Sequence, residues 1–146
     1  MNIKIEAIKE SDFEELLSLF SEFATFEKLE DSMTNSVEQM REEKEYLKGF
    51  VARTDENKIV GYATYFYTYY TWSGKAMYMD DLYICKEHRG IGIGTRLINE
   101  IITYAKQTKC NRLRWQVSDW NEPAIKFYKN LGAAINPTER NCDLIF

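Results

Sequence analysis

Histidine, cysteine and proline are scarce in this chain, and each scarcity closes a line of chemistry. The 146 residues hold one histidine, His88, and three cysteines, Cys85, Cys110 and Cys142. The cysteines lie far apart without Cys-x-x-Cys spacing, so they cannot compose a zinc site of usual ligand count, and no metal is expected. No apolar run approaches the roughly 20 residues that span a bilayer, and the N-terminus shows no leader pattern. A soluble protein of a reducing compartment, the cytoplasm, is therefore expected. Basic charge is also short, with 19 Lys and Arg against 23 Asp and Glu and a net charge of -4. That balance disfavours nucleic acid or anionic membrane as a partner and suits a cationic substrate. Two prolines and seven glycines make no Pro/Gly/Ser linker, and there is no repeat or low-complexity stretch. A single domain over residues 1–146 is the expectation.

What is present is the patterning of a packed α/β chain. Ile3, Ile5 and Ala7 alternate with polar residues as a first strand. Ser11 with Glu14 has the spacing of a capping box, and Phe13, Leu16, Leu17, Phe20 and Phe23 form the stripe of the helix it opens. A weaker helix is predicted from Ser36 to Leu47. Phe50 to Arg53 and Ile59 to Thr68 flank the polar turn Asp55-Glu56-Asn57-Lys58 as an antiparallel hairpin. A loop around Trp72-Ser73-Gly74-Lys75 leads into a strand from Ala76 to Cys85. Leu97, Ile98, Ile101, Ile102 and Ala105 have helical spacing, while Leu113, Trp115 and Val117 alternate as a strand. A last helix has Asn121 as N-cap, Pro123 in its first turn and Gly132 as C-cap, and a final strand closes the order β-α-α-β-β-β-α-β-α-β.

Arg89-Gly90-Ile91-Gly92-Ile93-Gly94 falls between a strand and an amphipathic helix. Glycines there bare the backbone where unpaired helix N-terminal N–H groups converge, which suits a phosphate. Leu97 occupies the place of the third glycine of the dinucleotide fingerprint, and no Gly-Lys-Ser/Thr follows, so neither that motif nor a P-loop is met. Alone, Gly-x-Gly would mark only a tight turn. Arg89 and the clear elements on either side argue for a phosphate ligand of another kind.

In this setting Arg89-x-x-Gly92-x-Gly94 resembles the acyl-CoA pyrophosphate loop of the Gcn5-related N-acetyltransferases. Tyr67-Thr68-Tyr69, Trp72, Tyr78-Met79-Asp80-Asp81-Leu82, Trp120-Asn121-Glu122-Pro123 and Phe127-Tyr128-Lys129 before Gly132-Ala133 extend the similarity. Together they resemble the branch that acetylates diamines (spermidine/spermine) and thialysine. The resemblance covers most of the chain from Val60 to Ala133. It implies a mixed, mostly antiparallel sheet whose fourth and fifth strands splay apart, flanked by about four helices. Acetyl-CoA would be the acetyl donor. Leu82, Tyr83 and Ile84 would offer backbone to the pantetheine, Gly90, Ile91, Gly92, Ile93, Gly94 and Thr95 would cradle the pyrophosphate beside Arg89, and Asn121, Glu122, Pro123 and Ala124 would meet the pantetheine arm. A homodimer is implied as well.

An aliphatic ammonium with a pKa near ~10.4 must lose a proton before it can attack, and a carboxylate removes it directly or through water. The resemblance points to Asp80 as the water-linked base and to Tyr128 as the acid that protonates the departing thiolate. Neighbours on a strand point to opposite faces, so Asp80 and Asp81 serve one site only if a bulge intervenes. Asp81 then reads either as a second amine contact or as a structural acceptor. Glu27, in Phe26-Glu27-Lys28, corresponds to a substrate-contacting acid of the polyamine branch, with Phe26 beside it. A surface glutamate is the plainer reading of Glu27. Trp72 could wall an alkyl-ammonium chain through cation–π contact or merely pack its loop. His88 and the tyrosines from Tyr62 to Tyr70 are assigned to a solvated loop and to strand core or subunit interface.

Two positions depart from the polyamine enzymes. Tyr70 stands where they carry an acid, and Arg140 falls near where they place another. That shifts the expected substrate from long polyamines toward a small amine or an amino acid with a side-chain amine, whose carboxylate a guanidinium matches bidentately. A protein or peptide N-acetyltransferase and a non-catalytic acyl-CoA sensor are the competing readings.

Overall fold

A computed structural model describes residues 2–146. The chain forms two compact units, Met1–Trp115 and Gln116–Phe146. In the first, β1 (Ile3–Ala7), β2 (Lys48–Thr54), β3 (Ile59–Tyr70), β4 (Gly74–Ile84) and β5 (Leu113–Arg114) make one sheet in the order β1-β2-β3-β4-β5. The first three pairings are antiparallel and β4–β5 is parallel. Helices α1 (Phe13–Phe26), α2 (Val37–Glu42) and α3 (Ile93–Gln107) belong to the same unit, and α4 (Glu122–Asn130) to the second. This is the mixed, mostly antiparallel sheet with four helices that the patterning and the resemblance implied. Among the described residues no helix is long and apolar enough to cross a membrane.

The two faces of the sheet are buried by different helices. The α1 stripe of Phe13, Leu16 and Leu19 packs with Val51, Ile59, Tyr62 and Tyr83, joined by Met40 of α2. On the other face Leu97, Ile98, Ile101 and Ala105 of α3 are buried, and Tyr104 meets the rings of Phe50 and Tyr65 at 6.0 and 5.7 Å. Each such fully buried aliphatic side chain is worth roughly 1.5–3 kcal/mol. At the bulge between Ala52 and Arg53 the N–H of Ile59 donates to Glu15 Oε2 of α1 at 2.7 Å, so a carboxylate satisfies a donor the ladder leaves unpaired.

Four local expectations need correction. Helix α1 opens not at a Ser11 cap but after a 3-10 turn, Glu10–Asp12, where the backbone N–H of Lys9 donates to Asp12 Oδ2 at 2.9 Å. Asp12, two residues before Glu14, takes the acidic place of the box and also receives Arg53. Helix α2 begins at the Ser36 cap as expected but ends at Glu42, short of Leu47, since only Met40 of that stretch is buried. Strand β5 stops at Arg114, where its ladder to β4 ends. The final strand is absent: residues 133–146 form no helix or strand, Pro137 removes a donor, and Leu144, Ile145 and Phe146 are exposed without a ladder partner.

Candidate active site

A bulge in β4 decides the geometry of the acids. Thr64 pairs with Asp81 and the next residue, Tyr65, pairs with Met79, so Asp80 is the extra residue opposite β3. Register partners share a sheet face, and Tyr78 pairs with Phe66 while Asp81 pairs with Thr64. The bulge therefore shifts the alternation by one residue and puts Tyr78, Asp80 and Asp81 on the face that carries Tyr62, Thr64 and Phe66. The condition for both acids to serve one site is met.

Asp81 is fixed and Asp80 is not. The Tyr62 hydroxyl donates to Asp81 Oδ2 at 2.9 Å, and the Asp81 backbone N–H donates to Thr64 Oγ1 at 3.2 Å. Burial, then the charge of Asp80, push the Asp81 carboxyl up to about 7; the Tyr62 bond works against this and the charge of Glu27 adds to it. Asp80 is reached by solvent, yet the protein around it also raises its carboxyl above the ordinary range by desolvation. Glu27, at the C-cap of α1, is thus within electrostatic reach of Asp81.

Arg89 ties the glycine segment to this pocket. Its Nε donates to the Ile84 carbonyl at 2.8 Å, and its guanidinium lies 4.8 Å from the Phe26 ring centroid and 5.4 Å from that of Tyr83. Tyr83 in turn stacks on Phe23 at 4.9 Å and donates its hydroxyl to Glu22 Oε2 at 2.6 Å. Phe26, predicted as a substrate contact, here packs on Arg89. The Cys85 thiol is pushed up to about 11 by burial, with Glu22 adding to it, so no thiolate nucleophile is available at neutral pH.

The segment after Arg89 is an open cradle. Gly90 and Gly92 have φ of 78° and 89°, and a Cβ on either would meet nothing within 4 Å. Gly92 caps α3, whose first intrahelical bond runs from the Arg96 N–H to the Gly92 carbonyl at 3.1 Å. The N–H groups of Ile93, Gly94 and Thr95 precede that bond and lack helical acceptors. Beside it, β5 pairs only with Met77 and Tyr78, so the backbone of β4 through Leu82, Tyr83 and Ile84 has no partner from β5. His88 differs from its expected solvated state, for its Nδ1 is shielded and lacks a hydrogen-bond partner. Among the described residues no group of His, Cys, Asp and Glu is arranged to hold a metal ion.

At the far end of the same face stand cations that the sequence reading missed. Arg114 lies 4.4 Å and Arg112 5.9 Å from the Tyr70 ring centroid. The cation considered for this region, Arg140, is an exposed residue of the second unit. The signal for Arg112 and Arg114 was their alternation about Leu113, but only the β4–β5 register, Tyr78 opposite Arg114, assigns them to a face. Trp72 is fully exposed in the β3–β4 turn. In the second unit, the Asn121 side chain caps α4 by accepting from the Ala124 N–H at 3.3 Å, Glu122 and Pro123 form its first turn, and Tyr128 is buried with its ring 5.5 Å from Phe127.

A helix N-terminus bared by glycines next to a strand edge that β5 leaves unpaired, and a pair of acids with raised pKa, suit an enzyme of the N-acetyltransferase class. The chain belongs to the acetyltransferase (GNAT) family, whose profile matches residues 13–133. Thialysine N-epsilon-acetyltransferase of Bos taurus is 35% identical over 142 residues, covering 90% of this chain and 84% of that protein. The enzyme of the same name in Caenorhabditis elegans is 34% identical over 129 residues, covering 87% and 80%. Among solved structures, an integron cassette protein of V. cholerae superimposes with a TM-score of 0.79 at 26% identity over 100% of this chain and 94% of that one.

Proposed function

We propose that the chain, acting as a single acetyltransferase domain over residues 1–146, transfers an acetyl group from acetyl-CoA directly to a primary amine of a small substrate in a ternary complex. The observation that carries this reading is the β4 bulge, which turns Asp80 and Asp81 to one face, with Glu27 in electrostatic reach of Asp81. Carboxylates converging there suit an ammonium group. Relatives named for the ε-amine of thialysine support a side-chain amine of an amino acid as the acceptor.

The open faces of Gly90 and Gly92 and the free N–H groups of Ile93, Gly94 and Thr95 fit a pyrophosphate, with Arg89 beside them. Leu82, Tyr83 and Ile84 would offer strand backbone to the pantetheine, and Asn121 to Ala124 would meet its arm. When bound, acetyl-CoA supplies an activated acyl thioester. Asp81 and Glu27 hold the ammonium by charge. Asp80, reached by solvent, takes the amine proton through a water molecule, and its raised pKa brings it closer to the operating pH. Tyr128 protonates the leaving thiolate. In this reading Trp72 would cover an alkyl chain, and a homodimer in the cytoplasm completes it.

Coenzyme A release measured across diamines, polyamines, lysine analogues and peptides tests the proposal. Turnover on small amines and not on peptides is expected. Binding of acetyl-CoA without release on any amine would overturn it in favour of a sensor, and turnover only on peptides in favour of a protein acetyltransferase.

A further inference from the structure

We propose that Arg114, seated on Tyr70 at the outer end of the acid-bearing sheet face, binds the α-carboxylate of an amino acid whose side-chain amine reaches Asp80 and Asp81. The inference rests on the amine acetyltransferase reading and adds to it a residue that sets specificity.

The register places every component on one face. Phe66 and Tyr78 are partners and stack at 5.1 Å, Tyr78 is opposite Arg114, and the bulge brings Asp80 and Asp81 to the same side. The Tyr78 hydroxyl feels both ends of the shelf, with Asp80 raising its pKa and Arg114 lowering it, burial being the largest influence. Helix α1 covers the Tyr62 and Tyr83 end of this face, while Phe66 is left 45% exposed beyond the acids. A shelf of two aromatic rings therefore runs between a negative end and a positive end. Two residues along β4 and one strand across separate Asp80 from Arg114, roughly 8 Å between strand positions. An extended lysine-like amino acid has that order of length and the same polarity.

Arg114 is equipped for a carboxylate. Its guanidinium carbon lies 4.4 Å from the Tyr70 ring centroid, a cation–π contact, and a guanidinium presents a planar fork of N–H donors that matches a carboxylate bidentately. The ion pairs of Arg41 with Glu14, Lys44 with Glu10, and Arg53 with Glu6 and Asp12 do not draw on Arg114. Arg112 over the same ring adds to the positive field. A diamine at this site would set its second ammonium against these cations.

Lysine and cadaverine, which differ by the carboxylate alone, are the probes. The wild-type enzyme is expected to prefer lysine in kcat/KM. In Arg114→Gln the KM for lysine should rise about tenfold to a hundredfold, the range of a charge-assisted pair. Cadaverine should be acetylated better, because a repelling cation is gone, and Arg114→Lys should recover part of the lysine preference. Both substrates are read on one preparation, so loss of folded enzyme scales both and leaves their ratio intact. A parallel fall for both substrates, or an unchanged ratio, overturns the proposal, as does wild-type preference for cadaverine. Failure to acetylate any amine would instead overturn the underlying reading of the reaction.

Discussion

The Tyr62 hydroxyl donates to Asp81 across a face that α1 buries, and this one bond restrains the proton affinity of a carboxyl raised to about 7. Removing the bond in Tyr62→Phe should therefore raise the Asp81 pKa. The acid limb of the kcat/KM profile, expected near pH 7 for the wild type, should move upward in Tyr62→Phe. The limb belongs to the Asp80–Asp81 pair and is read as an apparent value. An unmoved limb would separate Asp81 from the protons that control turnover.

The same shift has a consequence for stability. Between the ordinary aspartate value of 3.8 and about 7 the folded chain holds a proton that the unfolded chain has released. The contribution of Asp81 thus falls as pH rises through that window, by at most about 1.4 kcal/mol per pH unit. Asp81→Asn cannot titrate there. Urea midpoints at pH 5 and pH 8 should show wild type losing stability relative to Asp81→Asn as pH increases.

Asp80→Asn tests the base. General-base contributions are about 10²–10⁴-fold, and kcat should fall by about 10²-fold or more. The residual rate should climb toward alkaline pH, where the substrate supplies its own neutral amine, while the wild type levels off. A variant that keeps the wild-type profile would pass the role to Asp81. Tyr128→Phe should lower kcat by a similar factor with little change in acetyl-CoA affinity.

The course of the elements was legible because each rests on local pattern: the α1 stripe, the Asn121 cap with Pro123, and the strand runs of β2 to β4 all appear in the chain itself. The need for a bulge was legible too, from Asp80 and Asp81 standing as neighbours on a strand. Its existence was not, since a bulge is a property of two strands and is fixed only by Thr64 and Tyr65 pairing with Asp81 and Met79. Arg112 and Arg114 escaped notice for the same reason. The final strand, expected only as the last member of the element order, failed because sequence order cannot say whether a sheet edge is available to pair with.

Gly92→Ala probes the phosphate cradle. Its φ of 89° lies where a Cβ costs about 1–2 kcal/mol, so a modest fall in Tm is expected. The added methyl would stand in open space on the side where a phosphate must approach the α3 N–H groups. Affinity for coenzyme A, measured by titration calorimetry, should drop at least about tenfold, and Gly90→Ala should act in the same direction. Unchanged affinity in both variants would remove the segment from cofactor binding.

The Arg53 network should govern folding while leaving the acids of the site in place. Arg53 donates from Nη2 to Asp12 Oδ1 at 2.7 Å and from Nε to Glu6 Oε2 at 2.9 Å, joining β2 to the turn before α1 and to β1. The Asp12 side chain is 5% exposed, so Arg53→Met strands a buried carboxylate. Breaking such a pair costs about 3–5 kcal/mol, and Tm should drop accordingly. Replacing both partners, Arg53→Met with Asp12→Leu, removes the stranded charge but also the acceptor that caps the Lys9 N–H. Recovery in the double variant should therefore be partial, and full recovery would show that the cap at Lys9 contributes nothing to stability.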